Sequence, residues 1–317
     1  MKVINDGIEE GEPVRRLLYF HKDQRGSSLA IVGIALAGLL AMTGLVIDMG
    51  TVYVTKTQLQ KAANAAALSS AQELTHIESE VRRIALEVLA LHGEENSLLE
   101  QTVEMGQSVT VRLNRRVPLL FSGIFGFDDT PVEVKAKAEL AVMGSATGVA
   151  PLGIEDTIPL EFGRTYTLKV DQTEVNNGNF GILALGGPGA NTYEQNLKYG
   201  YQSRIKVGDI LDTQTGNIAG KTRTGVQERI NSCPYPVEET YHRDCARVIL
   251  IPVYHSYLVQ SNQVKKVEVT GFAYFYITEP MNFHDKTIKG LFIKRAGTGY
   301  ADPAAGNHGA FTIRLTE

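Results

Sequence analysis

Residues 27–47 read SSLAIVGIALAGLLAMTGLVI, an uninterrupted run without a charged side chain. A helix of about 20 apolar residues matches the ~30 Å hydrocarbon core of a bilayer. A cleaved signal peptide has a shorter apolar region, of about 7–15 residues, followed by a small-residue cleavage site. Here the run is longer and continues into Asp48-Met49-Gly50. The sequence therefore predicts a retained transmembrane helix over residues 27–47.

The basic residues on the two sides of this helix are unequal in number. Close to its ends, four precede it and two follow it, namely Arg15, Arg16, Lys22 and Arg25 against Lys56 and Lys61. Because cytoplasmic flanks carry an excess of Lys and Arg, the helix is predicted to run from inside to outside. Residues 1–26 then form a cytoplasmic tail, and most of the chain lies outside the cytoplasm.

Small residues recur inside the run at steps of three and four. They are Ala30, Gly33, Ala37, Ala41 and Gly44. On a helix this spacing places them on one face, where a second helix could approach closely. The alternative is that Gly and Ala are simply common in membrane helices. The set is predicted as a packing face for a partner in the bilayer.

The helical pattern continues past the membrane run. Between Gly50 and Gly93 there is no Pro or Gly, and residues 74–91 carry apolar side chains at steps of three and four. This spacing predicts an amphipathic helix, so we expect a long stalk helix, bent near Gly50 or His76. Its apolar seam consists of Leu74, Ile77, Val81, Ile84, Val88 and Leu91.

Strand patterns dominate the rest of the chain. Residues 109–114 and 132–140 alternate apolar and polar side chains, which predicts half-buried strands, and the apolar segment 117–127 joins them. We expect this hairpin to pack on the stalk, forming a membrane-proximal module over 48–143.

Residues 144–150, rich in Gly, Ser and Ala, are predicted as a linker to a mainly β extracytoplasmic domain over 151–317. The predicted fold class is α+β.

Within the C-terminal region, eight segments are predicted as regular elements. The strands are 166–170, 180–185, 248–254, 267–277, 291–294 and 311–315, and the short helices are 193–197 and 225–230.

Composition narrows the functional classes. The chain has 317 residues, 43% hydrophobic and 21% charged, with 31 basic and 35 acidic side chains. These values exclude a wholly disordered, collagen-like or multi-span chain. The near balance of charge does not indicate a nucleic-acid-binding protein.

No motif predicts catalysis or cofactor binding. Residues 216–222, GNIAGKT, place three residues between the glycines where a phosphate loop needs four. The patterns GxSxG and HExxH are absent from the sequence. We therefore expect no enzyme activity, nucleotide, cofactor or metal. A hidden catalytic site would be sought at His242, Asp244 and His255.

The two cysteines, Cys233 and Cys245, lie in one short segment. A zinc site would need three or four ligands, and this spacing matches no familiar zinc motif. In an oxidising compartment outside the cytoplasm, a disulfide is favoured. The pair is predicted as a disulfide, with zinc binding left as the alternative.

The N-terminal third resembles a known family. After Arg25-Gly26 and the apolar run come DMGTVY (48–53) and LQKAANAAAL (59–68). In this order the segments resemble the TadG-like N-terminal region of Flp (tight-adherence) pilus assembly proteins, over residues 24–75. The matching positions are Asp48, Gly50, Tyr53, Leu59, Ala62, Ala63, Asn64, Ala65, Ala66 and Leu68. Asn64 stands where the family often has Asp.

The resemblance implies a single-pass protein of the bacterial plasma membrane that helps to assemble or anchor a type IV-like pilus. Its implied partners are the bilayer and other pilin or pilus-assembly membrane proteins, met through the transmembrane and stalk helices. Two departures limit what is carried over: Ile31 replaces the Glu expected for prepilin cleavage after Gly26, and no DxSxS metal motif occurs. A membrane-tethered envelope-binding protein or an extracytoplasmic enzyme remain the alternatives.

Overall fold

The computed structural model describes residues 24–170, 179–214, 218–260, 263–282 and 284–316. Most of the predicted tail, residues 1–23, lies outside the described residues. Gly216 and Asn217, which belong to the segment compared with a phosphate loop, also lie outside them. The described chain is α+β, as predicted, with a long N-terminal helix followed mainly by strands.

Four α-helices are present in the described ranges. They are α1 (Gln24–Ala71), α2 (Glu78–Leu91), α3 (Ala190–Tyr199) and α4 (Ala219–Asn231). Helix α1 runs for 48 residues straight through Gly50, and turns at residues 72–77 separate it from α2. Of the two predicted bend positions, the break therefore falls at the one near His76.

Fifteen strands are described. They are β1 (Leu98–Glu104), β2 (Ser108–Pro118), β3 (Asp129–Ala146), β4 (Leu152–Glu155), β5 (Thr165–Val170), β6 (Asn179–Ile182), β7 (Ile205–Lys206), β8 (Ile210–Asp212), β9 (Val248–Gln260), β10 (Gln263–Ile277), β11 (Thr287–Ile293), β12 (Arg295–Ala296), β13 (Tyr300–Ala301), β14 (Gly306–Asn307) and β15 (Ala310–Leu315).

The strands form two sheets. The first has the order β1-β2-β3-β15-β12, with β7 and β13 also paired to β3. The second has the order β11-β5-β6-β4-β9-β10-β14, with β8 on β10. An additional antiparallel pairing of β10 with β11 joins Tyr274 to Ile293 and Ile277 to Gly290. This pairing closes six strands of the second sheet, β11-β5-β6-β4-β9-β10, into a ring.

Alternation in the long strands β9 and β10 builds two hydrophobic clusters. Side chains such as Ile251 and Phe275 join one cluster, which also contains Tyr193 and Leu197 of α3. Their neighbours in sequence, such as Leu250 and Tyr274, join a second cluster with Met143 and Ala146 of β3. Since successive side chains of a strand point to opposite faces, both faces are buried over residues 249–254 of β9 and 271–277 of β10.

The chain divides into two compact units, one of residues 1–58 and 114–133 and one of residues 59–113 and 134–317. In the second unit the C-terminal strand β15 pairs with β3, with Ile313 opposite Leu140. Residues 144–146, predicted to lie in a linker, instead end β3, and Val149 and Ala150 are fully buried. A small residue is needed at Gly144 because Asp302 approaches it closely, and a Cβ built on Gly144 would overlap the Asp302 side chain.

The apolar seam predicted for residues 74–91 is only partly buried. The buried side chains of α2 are Val81, Ala85 and Leu89. Ile77 and Leu91, which were predicted to belong to the seam, are 60% and 83% exposed. Gln101 of β1 donates from Nε2 to the carbonyl of Val81, which fixes the face of α2 that meets the strand.

Candidate functional site

Asp48 is buried although carboxylates are among the side chains least often buried. It follows directly after the apolar run and is 4% exposed. Its oxygens accept hydrogen bonds from the backbone N–H groups of Leu120 (2.9 Å), Phe121 (3.1 Å) and Ser122 (2.7 Å), and from Ser122 Oγ (2.8 Å). These donors stabilise the ionised carboxylate and offset the cost of removing it from water. We call Asp48 with residues 120–122 the aspartate clasp.

The loop that supplies these donors joins β2 to β3. The N–H of Leu119 donates to the carbonyl of Asp128 at 2.9 Å, which closes the loop at its base. Residues Ser122–Phe125 form one turn of 3₁₀ helix, ended by Gly126 at φ 87°. The first N–H groups of a helical turn have no partner within the turn, so a carboxylate is a favourable acceptor for them.

Gly44, one helical turn before Asp48, lies under the same loop. It is buried, and a Cβ built on it would lie 2.5 Å from Cγ of Phe121. Only a residue without a side chain lets the aromatic ring approach the helix this closely. The local sequence signal for this contact was an Asp directly after the apolar run together with a second uncharged apolar segment at 117–127; the pairing of the two segments was not predicted.

The other members of the predicted membrane packing face are uncovered. Ala30, Gly33, Ala37 and Ala41 are exposed, and in the described part of the chain nothing beyond the adjacent residues and the helix's own backbone lies within 4 Å of a Cβ built on Gly33. Of the five residues, Gly44 therefore contacts the protein's own loop. Packing of the remaining four against a second helix stays a prediction.

The second half of the family-like motif forms a buried helix face in α1. Its fully buried members are Leu59, Ala62, Ala63 and Ala66, and Ala67 continues the same face. The spacing of three and four residues is that of one helical face, and small side chains permit close packing. Ala65 and Leu68 are partly buried, whereas Gly50 and Tyr53 are exposed.

Asn64 and Gln60 link this face to the first sheet. Gln60 Nε2 lies 2.9 Å from Asn64 Oδ1 and 2.8 Å from the carbonyl oxygen of Lys135 in β3. An Asp at position 64 would offer the same acceptor oxygen to Gln60. The departure from the family pattern at this position therefore preserves the hydrogen bond.

Cys233 and Cys245 form a disulfide in the structure. Neither sulfur is then a thiolate, the form that binds zinc. Within the loop they enclose, the rings of Tyr235 and His242 stack with centroids 3.5 Å apart. Arg243 donates to Gln72 and to Glu73 Oε1 (2.8 Å) in the turn after α1.

The three residues singled out for a hidden catalytic site have separate partners. His242 Nε2 lies 2.6 Å from Glu239, Asp244 accepts from the hydroxyl of Tyr235 at 2.9 Å, and His255 Nδ1 lies 3.4 Å from Asp156. His255 is exposed. Each of the two histidines thus lies beside one carboxylate, and Asp244 accepts a hydrogen bond from a tyrosine. Among the described residues, no group of three or more His, Cys, Asp or Glu side chains could hold a metal ion.

Two clefts adjoin Arg243. One of about 680 Å³ is lined by Leu68, Arg204 and Tyr300 among others, and one of about 410 Å³ by His76 and Arg295 among others. The guanidinium of Arg204 lies 4.1 Å from the centroid of the Tyr300 ring. Because Arg243 is already bound to Gln72 and Glu73, its main visible role is to hold the disulfide loop against the end of α1.

Comparison with known proteins finds a family match for one segment of the chain. Residues 26–73 match the family model described as "Tad: Putative Flp pilus-assembly TadE/G-like". The match confirms the resemblance and supports a role related to Flp pili. It includes the apolar run, Asp48 and the buried alanine face of α1. No curated protein and no solved structure matches the chain.

The helix that begins this segment is long and apolar enough to cross a membrane. The candidate span lies within residues 28–71, and its most apolar 18-residue window has a mean hydropathy of 2.5 and is 6% buried. These values suggest anchoring by a single membrane helix, as length and composition predicted.

Proposed function

We propose that this protein is a non-enzymatic, single-pass membrane component that assembles or anchors a Flp-type pilus. The observation that carries the proposal is the family match over residues 26–73. The matched segment contains two parts that a membrane assembly factor needs: a span with exposed small residues and, further along the same helix, a buried face that packs within the second unit.

The proposed partners in the bilayer are helices of pilins or of other pilus-assembly proteins. The uncovered face of Ala30, Gly33, Ala37 and Ala41 is the proposed contact, because small residues let helix backbones approach closely in lipid. The separate partners of His242, Asp244 and His255 favour this role over an enzyme.

The proposed orientation places the N-terminus in the cytoplasm and the β-rich region outside it. Two observations support it: the excess of basic residues before the span, and the Cys233–Cys245 disulfide, which persists in oxidising compartments. An impermeant maleimide applied to intact cells, or to spheroplasts where an outer membrane is present, should label a Tyr257→Cys variant. An Asn5→Cys variant should react only after lysis. Labelling of position 5 alone would refute this orientation.

Site-specific photo-crosslinking in cells tests the assembly role. A photoreactive residue at Ala37 reports on the packing face, and one at Leu39 is the control. Both positions are exposed, and at 3.6 residues per turn they point about 200° apart. We expect Ala37 to capture pilin or pilus-platform proteins, identified by mass spectrometry, and Leu39 to capture them far less.

Two results would contradict the proposal. Equal capture at both positions would mean that the small residues do not define a face. Recovery of only wall or unrelated proteins, at normal expression, would favour a tethered envelope-binding protein.

A further inference from the structure

The loop from Leu119 to Asp128, here named the tip loop, carries an exposed apolar surface. Leu120, Ile124, Phe125 and Phe127 are 76%, 78%, 72% and 66% exposed. From Val117 to Phe127 the chain has no charged residue. Soluble surfaces rarely gather this many large apolar side chains in a few residues, and such patches mark interaction sites.

The aspartate clasp determines where this surface lies along the membrane helix. Asp48 binds the loop backbone at residues 120–122, and Phe121 packs on Gly44. Gly44 stands three residues before the end of the apolar run at Ile47, or roughly 4–5 Å along the helix axis. The tip loop is therefore continuous with the lipid-facing surface of the last helical turn of the span.

The backbone of the tip loop is unusually well paired. Seven of its N–H groups donate within the protein: those of Leu119, Leu120, Phe121, Ser122, Ile124, Gly126 and Phe127. An exposed loop in water does not need such pairing, because water accepts these hydrogen bonds. In lipid an unpaired N–H costs several kcal/mol, so irregular backbone is tolerated only when it is internally satisfied.

Charged residues begin where the apolar segment ends. Arg115 and Arg116 precede it and Asp128 and Asp129 follow it, and Arg116 forms an ion pair with Asp129. Tyr53, which is 73% exposed, lies six residues beyond Ile47 on the helix. Charged groups and tyrosines that lie just beyond an apolar segment are typical of the headgroup zone of a bilayer.

We propose that the tip loop inserts into the bilayer beside the C-terminal end of the span, as a second and shallow membrane anchor. Its occupant is lipid: the apolar side chains lie among the acyl chains near the headgroups of that leaflet, while Arg115, Arg116, Asp128 and Asp129 stay in the polar layer. The aspartate clasp fixes the depth of insertion. This inference needs the span, but it does not depend on a role in pili.

Fluorescence quenching by lipid tests the insertion directly, because the chain has no tryptophan. The full chain carrying Phe125→Trp is reconstituted at low protein density in phosphatidylcholine vesicles with or without brominated acyl chains. Leu91→Trp is the control, since Leu91 is 83% exposed and lies in α2.

We expect Phe125→Trp to emit at shorter wavelength than Leu91→Trp and to lose intensity in the brominated vesicles, while Leu91→Trp loses none. Adding Asp48→Ala to Phe125→Trp should reduce this quenching, with an unchanged far-UV circular dichroism spectrum as evidence that the rest of the chain is folded. Water-like emission and quenching by aqueous iodide at position 125 would overturn the proposal. Short-wavelength emission without quenching by bromine would also overturn it, since it would indicate burial against protein.

Discussion

The carboxylate of Asp48 lies 2.7 Å from the backbone nitrogen of Ser122, although 74 positions separate the two residues. One residue directly follows the apolar run of α1 and the other begins the helical turn of the tip loop. Their hydrogen bond makes the end of the span and the β2–β3 hairpin tip one local structure. Asp48, one of the positions that match the family pattern, thus has a structural role that depends on a segment distant in the chain.

Replacing Asp48 with Ala should release the tip loop. The N–H groups of Leu120, Phe121 and Ser122 would lose their acceptor, and an unpaired buried donor is costly. Hydrogen exchange of segment 119–127 should become faster than in the native protein. The control Asp285→Asn removes an exposed carboxylate elsewhere and should leave this segment unchanged. Unaltered exchange in Asp48→Ala would show that the clasp does not hold the loop.

A side chain at Gly44 should displace Phe121. A Cβ at this position meets the ring at 2.5 Å, and overpacking costs about 1–3 kcal/mol. We expect Gly44→Leu to increase exchange in the tip loop as Asp48→Ala does. Gly38→Leu is the matched control, because a Cβ at Gly38 has no atom within 4 Å. Similar effects of the two variants would argue against the Gly44–Phe121 contact.

The contacts of Glu73 with His76 and Arg243 should make stability depend on pH. A hydrogen bond from His76 lowers the pKa of Glu73, burial acts to raise it, and Arg243 lowers it further, with the net pKa below the ordinary value of 4.5. A carboxyl whose pKa is lower in the folded state stabilises the protein above its unfolded pKa, and this stability is lost as the pH falls through the folded value.

Thermal unfolding of the protein in detergent between pH 7 and pH 3 measures this effect. Glu73→Gln should lower stability at pH 7 and flatten the decline below about pH 4.5. Glu78→Gln, which breaks an exposed pair with Arg82, should change little because such pairs contribute about 0–1 kcal/mol. An unchanged pH profile in Glu73→Gln would contradict the assigned role.

The Cys233–Cys245 disulfide closes a short loop and should stabilise the β-rich region. The chain-entropy model assigns about 2–3 kcal/mol to a loop of this size. The double variant Cys233→Ser with Cys245→Ser should therefore unfold at lower denaturant concentration than the oxidised protein. The native protein under reducing conditions should behave like the variant. If iodoacetamide modifies both cysteines of the unreduced, denatured protein, the bond is not formed in the cell.

Tyr276 and Tyr193 offer a matched pair of buried hydroxyls. Among the described residues, the hydroxyl of Tyr276 has no hydrogen-bond partner, whereas that of Tyr193 lies 3.0 Å from Thr222 Oγ1. Leaving a buried polar group unpaired costs about 1–3 kcal/mol. Tyr276→Phe should hence be neutral or stabilising, and Tyr193→Phe should lose about 1 kcal/mol. Denaturant midpoints of the two variants compare them, and a larger loss for Tyr276→Phe would reveal a partner for its hydroxyl.

Several elements were predictable because their signals are local. Alternation over 109–114 and 132–140 predicted parts of β2 and β3, and the predicted strand 248–254 lies within β9. The two short helices predicted near 193–197 and 225–230 are α3 and α4, both longer than predicted.

Other features were missed because they depend on distant segments. Strand β1, Leu98–Glu104, has no regular alternation and exists as the partner of β2. Residues 144–146, expected in a linker, end β3, because a stretch rich in Gly, Ser and Ala also suits close packing: β7 and β13 pair with it, and Ala146 and Val149 join the second hydrophobic cluster.

The sequence by itself determined the long apolar N-terminal helix and the family to which this segment is similar, because hydrophobic length and the order of a motif are properties of neighbouring residues. Only the tertiary structure decided that Asp48 binds the tip loop, that Phe121 covers Gly44, and that β15 completes the first sheet at β3. Each of these pairs residues far apart in the chain. The period of a local pattern predicts that one face of a helix or strand will be buried. Which element covers that face depends on the packing of the whole chain.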